Sequence, residues 1–178
     1  MNARLFAASI LLATCAGAHA AAIVYSGNLN GAVESPPNAS SGTGTTVVSY
    51  DAATHMLTVQ ATFSGLNGTT TMAHIHCCVP TPGSGSAGVA TQVPSFTNFP
   101  LGVMAGTYSM SFDLTMASSW NAGFITANGG TTGTAEVALA AALAADKAYL
   151  NIHTSTFAAG EIRSFLTPDV VFANGFES

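Results

Sequence analysis

The sequence predicts an all-β protein, an antiparallel, Greek-key-like β-sandwich with one short inserted α-helix. Short segments in which apolar and polar residues alternate recur along the chain, and clusters of Gly, Asn, Pro and Ser separate them. This pattern is typical of half-buried strands joined by turns. One alanine-rich run, residues 134–144, interrupts it and favours a helix. The 178 residues suffice for a single domain with its own core.

The N-terminal segment has the features of a secretory signal peptide. A basic start at Arg4 precedes the apolar run 5–13 and the small-residue site Ala18-His19-Ala20. We therefore expect residues 1–20 to be removed and the protein to be secreted, whether periplasmic or extracellular. The apolar run is too short to span a bilayer, and no other segment approaches the required length of about 20 apolar residues. The predicted domain covers 22–166, and 167–178 form a C-terminal tail.

The order of the predicted elements follows from the spacing of the turn residues. The second and third strands should form a hairpin, as should the last two, because their connections are short. The helix should start at Gly133 and Thr134, end at Asp146 and Lys147, and pack across one end of the sandwich. Trp120 and Phe124 lie in a short turn or helix. The predicted strands are 23–29, 45–50, 55–63, 71–77, 106–114, 148–153 and 161–166.

The charge balance excludes several function classes. Charged residues make up only 6% of the chain. Without the signal peptide, the two cations Lys147 and Arg163 stand against eight acidic residues, which leaves a net charge of −6. Binding to nucleic acid or to an anionic membrane needs several basic contacts, so the charge balance argues against both functions. The chain also lacks a Gly-x-Ser-x-Gly elbow, a phosphate-binding loop and a His-Glu-x-x-His helix, so the sequence gives no support for an enzyme.

Three of the five histidines occupy positions that indicate a common site. His74 and His76 alternate with apolar residues on a predicted strand, so their rings share one face about 6 to 7 Å apart. His153 lies near the end of another strand. Three imidazoles suit copper or zinc. The alternative is a hydrogen-bonded cluster, satisfied by Asn151, Thr154 and the backbone, that only stabilises the sandwich.

Four more residues are candidates for the same site. Cys77 and Cys78 are adjacent in the sequence, and removal of the signal peptide with Cys15 leaves them no other cysteine of the chain to pair with. They can form a vicinal disulfide, bind a metal as thiolates or form an intermolecular bridge, although strand alternation directs Cys77 away from His76. Arg163 follows Glu161 by two residues on one face. Two interpretations are open: Arg163 forms an ion pair with Glu161, or Arg163 attracts an anionic small molecule towards a metal bound by the histidines.

The motifs that contain these residues resemble a known family. They are Ala73-His74-Ile75-His76, the heptapeptide Ala-Tyr-Leu-Asn-Ile-His-Thr at 148–154, and Gly-Glu-Ile-Arg-Ser-Phe-Leu at 160–166. Together they resemble the CHRD domain, a module first described in chordin and common in secreted bacterial proteins, over about 22–166. Ala159 and Ser164 depart from the usual pattern. The resemblance implies a secreted or surface-attached β-sandwich whose biochemical function is poorly defined.

A weaker similarity links the histidine strands and the turn before Arg163 to Cu/Zn superoxide dismutase. It implies copper at the histidines, but the zinc cluster and bridging residue of that enzyme are not found.

Two hypotheses of different classes follow. The first is a non-enzymatic extracellular module that binds an unknown protein or surface ligand. The second is a copper (or zinc) binding protein with possible redox activity, whose ligands are His74, His76 and His153.

Overall fold

The computed structural model describes residues 21–169, so the predicted signal peptide and most of the predicted tail, 170–178, lie outside the described residues. Within this range the chain forms eight strands and two α-helices. The helices are α1 Ala122–Ala127 and α2 Thr132–Ala144. The strands are β1 Ile23–Asn30, β2 Thr43–Asp51, β3 Met56–Ser64, β4 Thr70–Cys77, β5 Gly106–Asp113, β6 Ala148–Thr154, β7 Ile162–Phe165 and β8 Thr167–Pro168.

The strands form one antiparallel sheet in the order β4-β6-β7-β1-β2-β3-β5, with β8 paired to β1. The predicted all-β, antiparallel fold and both predicted hairpins, β2–β3 and β6–β7, are confirmed. The sheet curls into a half-barrel instead of separating into two layers, because β1 pairs with β2 along its length and also reaches β7 through Asn30 and Arg163. Both halves of the sheet contribute to one core. Its members include Val48, Leu57, Val59, Ile75, Leu150, Ile152 and Ile162.

The two helices lie between β5 and β6 in the chain. Helix α2 starts at Thr132, one residue before the predicted start at Gly133, because Thr131 is the N-cap and exchanges hydrogen bonds with Thr134 in a capping box. It buries Leu139 and Leu143 in the core, as a packing helix should. The short helix α1 contains Phe124, which the sequence placed in a short turn or helix. No helix among residues 21–169 is long and apolar enough to cross a membrane.

The β4–β6–β7 part of the sheet has two different faces. Ala73, Ile75 and Cys77 of β4 point into the core, as strand alternation predicted. The opposite face is polar yet also buried, with exposures of 2–8% for its members. We call it the polar face. It comprises His74, His76, Tyr149, Asn151, His153 and Arg163.

Candidate metal centre

The three candidate histidines come together on the polar face. His74 and His76 project from β4 and His153 from β6, and their ring centroids are 5.3–5.7 Å apart. One nitrogen of each ring lies within 4.8 Å of the corresponding nitrogens of the other two rings. All three side chains are buried. The structure thus places at one point the residues that the sequence proposed from strand spacing.

One nitrogen of each ring forms a hydrogen bond with a backbone carbonyl. Nε2 of His74 is 2.6 Å from the Pro94 carbonyl oxygen, Nδ1 of His76 is 2.9 Å from that of Ala87, and Nδ1 of His153 is 3.0 Å from that of Ala158. A carbonyl only accepts, so each of these nitrogens carries the proton and the other nitrogen offers a lone pair. This arrangement of an outer acceptor and a free inner nitrogen is that of histidines that bind metals.

The inner nitrogens have no hydrogen-bond partner. They are Nδ1 of His74, Nε2 of His76 and Nε2 of His153, and all three are buried. Burial lowers the pKa of His74 and of His76 to about 4, and lowers the pKa of His153 as well, although the carbonyl hydrogen bonds oppose the shift. The rings are therefore neutral near pH 7, the form in which imidazole binds a metal ion.

The purely structural alternative does not satisfy these nitrogens. The Thr154 hydroxyl donates to Glu161 at 2.6 Å instead of to a histidine, and Asn151 Oδ1 is itself without a partner. A buried polar group without a partner costs about 1–3 kcal/mol, and here three such nitrogens face one another. A bound cation would satisfy all three at once.

Aromatic and cationic side chains extend the polar face beyond the histidines. The ring of Tyr149 stacks on His76 with centroids 4.9 Å apart and a 7° angle between planes. The Arg163 guanidinium lies 4.6 Å from the centroid of the Tyr149 ring, a cation–π distance. Arg163 Nε also donates to the Val33 carbonyl at 2.6 Å. Arg163 therefore lies behind Tyr149, in the layer outside the three histidines.

The predicted ion pair between Glu161 and Arg163 is wrong. Arg163 Nε faces Glu34 instead, 3.7 Å from Oε2. Glu161 precedes β7 and is fully buried. Burial alone would raise its pKa, but hydrogen bonds from Ser40, Thr154 and two backbone N–H groups outweigh this effect and lower the pKa. Glu161 thus holds neighbouring loops together.

Glu34 is a residue of this region that the sequence analysis missed. It is 7% exposed, and burial raises its pKa to about 7 against the opposing effects of Arg163 and Asn151. Glu34 lies in the connection after β1, where no periodic pattern predicts a neighbour. Asn151 could have been included from the sequence, because it alternates with Tyr149 and His153 on one face of β6.

The two remaining candidates, Cys77 and Cys78, form a disulfide with each other. Of the three arrangements that the sequence left open, the structure contains the vicinal bridge. Cys77 is buried in the core and Cys78 is exposed at the end of β4. Neither sulfur offers a thiolate to the histidines in this state.

The fold and the site together define a mostly β protein with a curled antiparallel sheet and a buried three-histidine cluster. The family model of the CHRD domain matches residues 25–166. Because the match covers most of the chain, the protein belongs to the CHRD domain family. No curated protein and no solved structure matches the chain significantly, and the weaker similarity to Cu/Zn superoxide dismutase has no support.

Proposed function

We propose that this CHRD protein binds one transition-metal ion, copper or zinc, through His74, His76 and His153. One observation carries the proposal. One ring nitrogen of each histidine lies within 4.8 Å of a ring nitrogen of each of the other two. Each of the three buried, neutral rings has one nitrogen bonded to a carbonyl and one without a hydrogen-bond partner. The outer hydrogen bonds orient the rings, so the protein need not rearrange them to receive the ion.

The chemistry of the ligands favours these two metals. Calcium and magnesium take oxygen ligands, whereas the three grouped side chains offer only imidazole nitrogens. Imidazole suits copper and zinc among the common metals. Three protein ligands also leave one position of a four-coordinate ion for another ligand.

The predicted biological setting is compatible with such a site. Export rests on the features of residues 1–20, and a non-enzymatic role in binding an extracellular protein or a surface ligand rests on the low charge and the absence of catalytic motifs. A metal ion that joins two strands and their loops would stabilise an exported module of this kind. Both the location and the binding role stay predictions.

Metal analysis tests the proposal directly. The protein starting at Ala21 is incubated with copper or zinc, desalted, and measured by inductively coupled plasma mass spectrometry. We expect about one ion per chain, and none in His76→Ala, because two imidazoles do not retain the ion through desalting. His55→Ala is the matched control, since His55 is half-exposed and pairs with Glu136 away from the cluster. Absence of stoichiometric metal, or full retention in His76→Ala with a native circular dichroism spectrum, would contradict the proposal.

A further inference from the structure

Two more buried oxygen atoms, on Asn151 and Glu34, lack hydrogen-bond partners. Among residues 21–169, six buried side-chain nitrogen or oxygen atoms have no hydrogen-bond partner. One is Oδ1 of Asp146. The other five are the three inner histidine nitrogens, Oδ1 of Asn151 and Oε1 of Glu34. Unpartnered buried atoms are rare in proteins and call for an explanation, and here five of six belong to the polar face or to its neighbour Glu34.

Asn151 lies on the polar face beside the histidines. It lies directly opposite His74 in the β4–β6 pairing and opposite Arg163 in the β6–β7 pairing. It also precedes His153 by two residues on the same face of β6. Side chains directly opposite in antiparallel strands have Cβ atoms about 4.5–5.5 Å apart. Asn151 therefore lies on one of the two strands that supply the histidines and directly opposite a histidine of the other.

Glu34 and Asn151 meet at Gly160. A Cβ atom added to Gly160 would lie 2.5 Å from Asn151 Nδ2, 2.6 Å from Asn151 Oδ1 and 2.8 Å from Glu34 Oε1. Only glycine leaves this space to the two side chains. Next to it a cavity of about 230 Å³ is lined by residues 34–38 and 157–160, and its lining includes Ala158, whose carbonyl holds His153.

Building on the proposed metal centre, we propose that the ion carries a water molecule as its fourth ligand and that this water donates its two O–H groups to Asn151 Oδ1 and Glu34 Oε1. The numbers of groups match. Three imidazole lone pairs and one water lone pair make a four-coordinate ion, and the water has one O–H for each unpartnered oxygen. A metal ion also polarises the O–H bonds of its water and makes them better donors.

Simpler occupants leave atoms unsatisfied. Above about pH 7, where Glu34 is ionised, all five atoms are acceptors, and a single water without a metal has only two O–H groups to offer. If Asn151 Oδ1 bound the ion directly, Glu34 Oε1 would remain without a partner. Arg163 Nε does not donate to Glu34 Oε1, because it already donates to the Val33 carbonyl. A hydrated ion satisfies all five.

Azide binding to the Co(II)-loaded protein tests the inference, because azide can replace a metal-bound water but has no hydrogen to donate. Binding is followed by the visible absorption of Co(II). We expect one azide per cobalt in the unchanged protein. Asn151→Ala removes one acceptor that favours water, so azide should bind about tenfold more tightly. Asn151→Asp has the same shape but adds negative charge, so azide should bind about tenfold more weakly. Asn128→Ala, at the end of α1, is the matched control and should change nothing.

The outcomes separate this inference from the proposed function. A protein that binds no metal overturns both. A protein that binds stoichiometric cobalt but shows no azide response overturns the inference alone, as does equal azide affinity in the unchanged, Asn151→Ala and Asn151→Asp proteins. If Asn151→Ala does not fold, the isosteric Asn151→Asp variant decides, because only an Asn151 next to the exchangeable ligand makes azide binding weaker.

Discussion

At the scale of single residues, the loops around the polar face decide what the histidines can do. The Ala87, Pro94 and Ala158 carbonyls set which nitrogen of each ring is protonated. Without them, an imidazole could present either nitrogen to the site. These carbonyls, and not only the spacing of His74 and His76, therefore set which nitrogen of each ring has a free lone pair.

Glu34 makes a residue-scale prediction about pH. Its pKa rises from the ordinary 4.5 to about 7 on folding, so the folded state holds a proton that the unfolded chain releases. The stability contributed by this proton is full below pH 4.5 and is lost as the pH rises through 7. For the metal-free protein, we expect the free energy of unfolding to fall by up to about 3 kcal/mol from this group between pH 4.5 and 8. Urea unfolding of the unchanged protein and of Glu34→Gln at several pH values measures it.

The comparison between the two proteins isolates Glu34, since every other group titrates in both. The variant should lack this loss, so the stability difference between the two should change steadily across pH 4.5 to 8. A constant difference would mean that Glu34 is not buried as the structure shows.

At the scale of elements, β4 serves the core and the candidate site at once. Ala73, Ile75 and Cys77 pack inwards, while His74 and His76 lie on the polar face. The segment 88–90 bonds to the edge of β4 that does not pair with β6, through hydrogen bonds from Cys77 N–H to the Gly88 carbonyl and from Ala90 N–H to the Ile75 carbonyl. The position of His74 and His76 is therefore tied to the packing of the core.

The end of β4 makes a prediction about thiols. Because Cys77 and Cys78 are bonded to each other, the native protein starting at Ala21 should have no free thiol, and reduction under unfolding conditions should release two. Alkylation followed by mass spectrometry counts them. The exposed Cys78 is the internal control, since a free thiol there would react readily. A native protein that takes up two labels, or that runs as a disulfide-linked dimer, would contradict the vicinal bridge.

At the scale of the whole molecule, the candidate site joins parts of the chain that are distant in sequence. β4 and β6 supply the three histidines proposed as ligands, and the segments near Ala87, Pro94 and Ala158 hold their rings. A ligand that binds only the folded state stabilises it according to its concentration and affinity. Metal binding should therefore stabilise the whole cooperative unit.

This coupling predicts a thermal shift. At a free metal concentration one hundred times the dissociation constant, the gain is about 2.7 kcal/mol, which corresponds to roughly 5–10 °C in the melting temperature of a domain of this size. Differential scanning calorimetry with copper or zinc, with and without a chelator, measures it. His55→Ala should shift like the unchanged protein and His153→Ala should not shift. An unchanged melting temperature with bound metal would show that the unfolded chain binds the ion equally well.

Much of the fold could be predicted because the relevant signals are local. Strand alternation depends on the period of two residues, which the sequence displays directly, and the alanine-rich run predicts α2 from propensity alone. The same alternation placed Cys77 on the face of β4 that points away from His76. The curl of the sheet could not be predicted, because it depends on β1 pairing with both β2 and β7, and pairing between distant strands leaves no local pattern.

The sequence by itself determined the family motifs, the strands and the three histidines that share a face. Only the tertiary structure decided that Arg163 pairs with Glu34 instead of Glu161, that Asn151 and Glu34 meet at Gly160, and that three carbonyls hold the rings. The physical reason is that alternation assigns a residue to a face of its own strand, whereas the partners of a side chain come from loops whose course depends on the packing of the whole domain.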